Sequence, residues 1–289
     1  MTLISKQNAI RFIVPLLSAA MVLGSAGCGA GSSSGADGKT DPKALTQETI
    51  QPGTLTIATD NPCYTPWFID NKPESGQGFE SAMAYAVSAK MGFPKDKVRW
   101  TRTTYASAIA PGSKQFDMNI QEFTISPERR NAVDFSSEYY KPTLAVLVRG
   151  DSKYAQAKSI SDLKGAAIGA TVASDAYVFA KRRIKDDIKV FDDNVALAQA
   201  VDSKQIDALV ISTVIAVNMR KTHQVTDGKV VGQLAGSTNE NGIGIVLPKG
   251  SKLTKAASKA VDELRRDGTV RRLQDRWLKE YTTDVPVIH

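Results

Sequence analysis

Short β-rich runs alternate with helical patterns along this chain, several of them closed by Gly or Pro. Nothing else in the sequence constrains the fold as much. The stretch 54–59, Thr-Leu-Thr-Ile-Ala-Thr, alternates and predicts a strand that Asp60, Asn61 and Pro62 break. Phe79, Met83, Ala86, Val87 and Met91 then recur at helical spacing, with Gly92 as the stop. A strand at 98–101, a short helix at 106–110 ended by Pro111 and Gly112, and a strand at 116–120 follow. This order implies right-handed crossovers and a parallel sheet. Ligands of such sheets sit beyond the C-terminal strand ends, where Asp60, Glu122 and Thr124 fall. An apolar run at 144–148 precedes a restart of the pattern. It brings a capped helix start at 159–162, strands at 167–170, 190–191, 207–211 and 230–231, and helices from Ser174, at 194–201 and at 214–221. A strand at 242–247 and a helical pair broken at Asp267 and Gly268 close the chain. Two α/β units of similar size predict two lobes with a cleft between them.

Between the two units lies the run 124–140, Thr-Ile-Ser-Pro-Glu-Arg-Arg-Asn-Ala-Val-Asp-Phe-Ser-Ser-Glu-Tyr-Tyr. Ser126 followed by Pro127 reads as a helix start, because Ser caps free N–H groups and Pro needs none at the first position. Glu128 suits the positive end of the helix, whereas Arg129 in the same turn does not and needs an anionic partner. Two partners are open: Glu128 or Asp134 in a surface ion pair, or a ligand carboxylate gripped by the guanidinium fork.

Ile-Ser-Pro-Glu-Arg, then Val-Asp-Phe-Ser, then Tyr-Tyr resembles the signature of the amino-acid-binding proteins of ABC importers, the family 3 solute-binding proteins. Further landmarks of that family follow in order: Asp162-Leu163-Lys164-Gly165, Ile206-Asp207-Ala208, the run from Gly244 to Gly250, and Asp267-Gly268 through Trp277. The resemblance spans Gly53 to Tyr281. It implies an α/β, two-lobed periplasmic-binding-protein-like (type II) fold with the ligand between the lobes. It also implies a discontinuous first lobe, 53–141 plus 242–289, around a second lobe, 142–241.

By the same resemblance, Arg129 grips an α-carboxylate, Tyr64 stacks on the ligand, Tyr105 forms a second wall, and Thr124 binds through hydroxyl and backbone. An aromatic face packs an apolar stem and attracts a cation. Asp60 has two readings: an Asx-turn before Pro62, or contact with a polar or cationic ligand side chain. Glu122 stands where the family has a small residue, and either points to solvent or adds negative charge to the cleft. Ser174 and Asp175 begin a helix after a strand, where backbone N–H groups can receive an anion. Ser212 stands where many family members carry an Asp that pairs with the α-ammonium. With that partner gone, Asp60 and Glu122 would hold the ligand's positive end, which favours a polar or basic amino acid over an acidic one.

The N-terminus carries Lys6 and Arg11, an apolar run at 12–23 and small residues at 24–27, as in a secretory signal peptide (1–27). Ser25-Ala26-Gly27-Cys28 resembles a lipobox, so Cys28 is expected to carry lipid, with 28–52 as a flexible tether. The chain is then extracytoplasmic and anchored to the cell membrane as a lipoprotein. Its implied partners are a small amino-acid ligand and ABC permease subunits, and it is expected to be a monomer. Removing Lys6 and Arg11 takes the net charge from +7 to +5, and the basic residues near the C-terminus are interleaved with acidic ones. That is a solvated face, and export argues against nucleic acid. Cys63 is left without a partner, and His223 and His289 have no companion ligands, so neither a disulfide framework nor a metal or other cofactor is expected. No catalytic grouping of Ser, His and Asp stands out; an enzyme on the same fold, dehydratase-like, and a ligand sensor are the alternatives.

Overall fold

The computed structural model describes residues 45–289. The expected signal peptide, Cys28 and the first part of the tether lie outside them. The end of the expected tether is not free. Leu45 is buried in the core, the Ile50 N–H donates to Asp117 Oδ1 (2.8 Å), and Gln51 bridges to Thr54. The boundary at 52 is therefore corrected: 45–52 is docked on the body, because Leu45 has apolar surface to bury and Asp117 has an acceptor to share.

The first sheet runs in the order β2-β1-β3-β10-β4. Its strands are β1 (Leu55–Thr59), β2 (Val98–Arg102), β3 (Met118–Asn119), β4 (Val133–Tyr140) and β10 (Ile243–Pro248). β1, β2 and β3 are parallel, joined by helices α1 (Phe79–Lys90) and α2 (Tyr105–Ile109), and β10 is antiparallel to β3 and β4. The short α3 (Pro127–Arg130) lies between β3 and β4, with Ser126 Oγ accepting the Arg129 N–H (3.2 Å), as the Ser-Pro pair predicts. Leu55 and Ile57 join one face of the core and Ala58 the other, so β1 is buried on both sides.

The second sheet runs β11-β9-β5-β8-β6-β7. Its strands are β5 (Leu144–Val148), β6 (Ile168–Thr171), β7 (Ile188–Phe191), β8 (Ala208–Ser212), β9 (Lys229–Leu234) and β11 (Val287–Ile288). Helices α4 (Asp175–Arg183), α5 (Asn194–Asp202) and α6 (Thr213–Lys221) follow β6, β7 and β8. Ala145 and Leu147 pack to one side of β5, Val146 and Val148 to the other, which is why the run Leu-Ala-Val-Leu-Val is continuously apolar. The capped helix expected at 159–162 is only a 3-10 turn, Ser161–Leu163; Asp162 Oδ2 accepts the N–H groups of Lys158 and Ser159 instead.

Helices α7 (Thr254–Arg266), α8 (Thr269–Trp277) and α9 (Lys279–Thr282) follow β10. The last strand departs from expectation. β11 pairs in parallel with β9, and Ile160 N–H donates to the His289 carbonyl (2.8 Å). The end of the segment 242–289 thus belongs to the second sheet, where β9 offers a free edge to a two-residue strand. The chain crosses between the sheets at 141–143, 235–242 and 283–286. Among the described residues, no helix is long and apolar enough to cross a membrane.

The entry to α1 sets the floor of the cleft. Gly78 has φ +100°, and a Cβ there would collide with the Trp67 carbonyl. Phe79 and Glu80 N–H groups donate to the Pro66 and Trp67 carbonyls (2.9 and 3.0 Å). Gly78→Ala should lower stability by roughly 2–4 kcal/mol, from left-handed backbone plus overpacking. A denaturant midpoint that falls at constant slope would show this, and an unchanged midpoint would refute it.

Candidate functional site

β1, β3, β6 and β8 all end at one cavity of about 130 Å³ between the sheets. Eight residues singled out in the sequence line it: Asp60, Tyr64, Tyr105, Glu122, Thr124, Ser174, Asp175 and Ser212. Arg129 lines a second, outer cavity of about 650 Å³, and Asp175 lines both.

Arg129 does not pair with Glu128 or Asp134. Asp134 pairs with Lys249 (3.3 Å) and accepts the Gly250 N–H (3.0 Å). The Arg129 guanidinium instead lies 5.6 Å from the Tyr105 ring centroid. Nη1 donates to the Thr124 carbonyl (2.8 Å), and Nη2 to the Ala173 carbonyl (2.9 Å) across the cleft, with Asp175 Oδ1 at 3.2 Å. Arg130 is exposed and lies over Phe135.

The floor is acidic. Glu122 adopts φ +54°, a conformation a bulky residue occupies at a cost. Its N–H donates to Glu80 Oε1 (2.8 Å), which also accepts the Tyr139 hydroxyl. Of the two readings of Glu122, the structure shows the side chain lining the cavity. Glu80 is 1% exposed, and burial pushes its carboxyl up to about 7 although both hydrogen bonds oppose the shift. Burial also holds Glu122 well above the usual carboxylate range; the Glu80 charge adds to this and the Ser212 hydroxyl opposes it. Ser212 Oγ is buried and faces the Glu122 carboxyl, and Trp67 Nε1 is buried with no hydrogen-bond partner among the described residues.

Asp60 faces both its own loop and the cavity. Oδ1 accepts the Asn61 N–H (2.8 Å), and the residue lines the cavity, where burial raises its carboxyl. Ser174 Oγ is committed to its own turn: it caps α4 by accepting the Tyr177 N–H (3.1 Å) and donates to the Thr171 carbonyl (2.7 Å). Cys63 is buried beside Arg102, whose Nη1 lies 3.3 Å from Sγ.

Sequence reasoning missed Glu80 and Asp193. Glu80 reads as an ordinary first-turn acid, and only the three-dimensional placement of β4 puts Tyr139 over it. Asp193 caps α5 by accepting the Ala196 N–H (2.8 Å) and lines the cavity. An Asp before a helical run was the signal available for it.

Residues 55–280 match the family described as bacterial extracellular solute-binding proteins, family 3, and the chain belongs to that family. Its relatives include the L-cystine-binding protein TcyJ of Escherichia coli (strain K12), 26% identical over 81% of this chain and 86% of the relative. The arginine-binding extracellular protein ArtP of Bacillus subtilis (strain 168) is 27% identical over 69% and 77%. Among solved structures, an ancestral arginine-binding protein bound to arginine superposes with a TM-score of 0.66 at 29% identity, covering 78% of this chain and 98% of that one.

The raised carboxyl of Glu80 has a consequence for stability. The folded state holds the proton more tightly than the unfolded chain, whose Glu titrates near 4.5. Its contribution is complete below 4.5 and is lost as pH rises through about 7. Melting temperature of the ligand-free protein should therefore fall from pH 5 to 8. Glu80→Gln, which keeps an acceptor oxygen, should flatten that fall by an amount on the order of 2 kcal/mol. Parallel profiles for the two proteins would contradict the assignment.

Proposed function

We propose that this protein captures a polar or basic amino acid and delivers it to an ABC permease, as an extracytoplasmic lipoprotein held by lipid on Cys28. The observation that carries the ligand class is the charge distribution of the cleft. Asp60, Glu80, Glu122, Asp175, Asp192 and Asp193 line the inner cavity, and no Lys, Arg or His among the described residues lines it. Arg129 stands at its edge, on the outer cavity. Such a site takes a carboxylate at one end and a cation or a strong hydrogen-bond donor inside. Among the described residues, Trp67 offers a buried, unpartnered donor along the way. Relatives that bind arginine and cystine agree with a zwitterion carrying additional nitrogen or a second ammonium.

Turnover on the same fold has one observation in its favour: Glu122 is a carboxyl held toward its protonated form inside a cavity, as a general acid would be. The same fold includes a solved ancestral amino-acid-binding protein described as a precursor of cyclohexadienyl dehydratase. The matching relatives are described as binding proteins, and capture is the better-supported reading.

A thermal-shift panel of L-arginine, L-lysine, L-glutamine, L-cystine, L-aspartate and L-glutamate tests the ligand class. A ligand at about 100 times its Kd stabilises by roughly 2.7 kcal/mol, an upward shift of about 5–10 °C for a chain near this size. The largest shift is expected from a basic or uncharged polar member. The largest shift from aspartate or glutamate would overturn the charge argument, and no shift with any amino acid would overturn the function.

Arg129→Ala should weaken binding of that ligand by roughly 2–5 kcal/mol, because the ligand carboxylate loses its charge partner. Arg130→Ala, which alters an exposed guanidinium, should change it little. Calorimetric titration of both variants decides, and equal small effects would remove Arg129 from the site.

A further inference from the structure

The guanidinium at the edge of the cavity is already occupied. Two of its polar neighbours, the Ala173 carbonyl and Asp175 Oδ1, come from the second lobe, and two, the Thr124 carbonyl and the Tyr105 hydroxyl, come from the first. Both sides of this contact are built to hold it. Arg129 is 12% exposed in its side chain, lies over Tyr105, and has its backbone N–H capped by Ser126. Opposite, Ala173 adopts φ +57°, which turns the 171–174 segment, and Ser174 locks the turn through hydrogen bonds to Thr171 and Tyr177. Asp175, the next residue, lines both the inner and the outer cavity, so the ion pair stands at the partition between them. Asp175 is 34% exposed in its side chain, so its carboxylate can be released into water without being stranded.

We infer that Asp175 is an internal stand-in for the ligand carboxylate: it latches Arg129 across the cleft in the empty protein and must leave when a carboxylate arrives. The inference rests on the reading of Arg129 as the carboxylate anchor. Two consequences follow. The empty protein spends part of its time with its lobes joined, and the affinity for an amino acid is reduced by the fraction of Arg129 that is latched. Asp175 thereby becomes an affinity-setting residue that need not touch the ligand.

The test uses the mature chain with Asp175→Ala, which removes the acceptor, and Asp175→Glu, which keeps a carboxylate. X-ray scattering on the ligand-free proteins should give a larger radius of gyration for Asp175→Ala than for wild type, with Asp175→Glu close to wild type. Calorimetric titration with L-arginine should show Asp175→Ala binding tighter by roughly threefold to tenfold, the scale of a partly exposed ion pair with its added hydrogen bond. An unchanged radius for Asp175→Ala overturns the latch. Weaker or unchanged arginine binding by Asp175→Ala overturns the competition and, if weaker, makes Asp175 a direct ligand contact. Failure of wild type to bind arginine or any other amino acid of the panel counts against the functional reading, while the scattering comparison still decides the latch.

Discussion

The cleft depends on how one guanidinium is satisfied. Arg129 projects from a four-residue helix whose start is fixed by Ser126 and Pro127, in the turn where a cation is least welcome. A charge only 12% exposed needs acceptors around it, since burial without them costs several kcal/mol. The first lobe supplies one carbonyl and the ring and hydroxyl of Tyr105. The rest comes from the second lobe, so parting the lobes exchanges those acceptors for water. That division ties ligand chemistry to lobe geometry: an acceptor that bridges Arg129 to the second lobe also holds the two sheets together.

The acidic floor is the counterpart. Among the described residues no cation pairs with Glu80 or Glu122; Glu80 is tolerated because hydrogen bonds from Tyr139 and from the Glu122 backbone share the load, and Glu122 has the Ser212 hydroxyl. Two neighbouring carboxyls in a low-dielectric site cannot both ionise without cost, so a positive group delivered there would find its attraction strengthened by the same burial that raises the carboxyls. A ligand with its carboxylate at Arg129 and its cation directed inward meets favourable charge at both ends, whereas a dicarboxylate meets repulsion at one. Asp60 and Asp193 extend that repulsion along the opposite wall.

The fold was legible where local physics and tertiary context agree. β5 and β8 are continuously apolar because they are central strands, and the Ser-Pro start of α3 is written in two adjacent residues. The placement of the candidate site was legible too, through strand ends and the motif around Arg129. What escaped were contacts distant in sequence. Glu80 is a plain helix-start acid until β4 is laid over it, 59 residues later. Leu45 and Ile50 follow a polar, glycine-rich segment and still dock, because Asp117 accepts from the Ile50 backbone across 67 positions. The cross-cleft partner of Arg129 is 46 positions away, numbered from Asp175, and nearer acids compete for it on paper. β11 has only two residues, too few for any pattern, and is specified by the free edge of β9.

That last strand changes the mechanics of the molecule. With the two crossings at 141–143 and 235–242 alone, the lobes would be joined by a two-stranded hinge, tied by Lys141 to Glu240 at 3.2 Å. The passage from α9 to β11 adds a third connection, and Lys221 of α6 pairs with Glu280 of α9 at 2.9 Å beside it. Three connections restrict twisting and sliding more than bending, because each can flex about its own short backbone while their separation fixes the axis. The lobes are thus held in register by covalent chain, and side chains need only set how far the cleft opens. One partly exposed ion pair, worth little by itself, suffices for that role: it works against a single restricted motion rather than against the full freedom of two separate bodies.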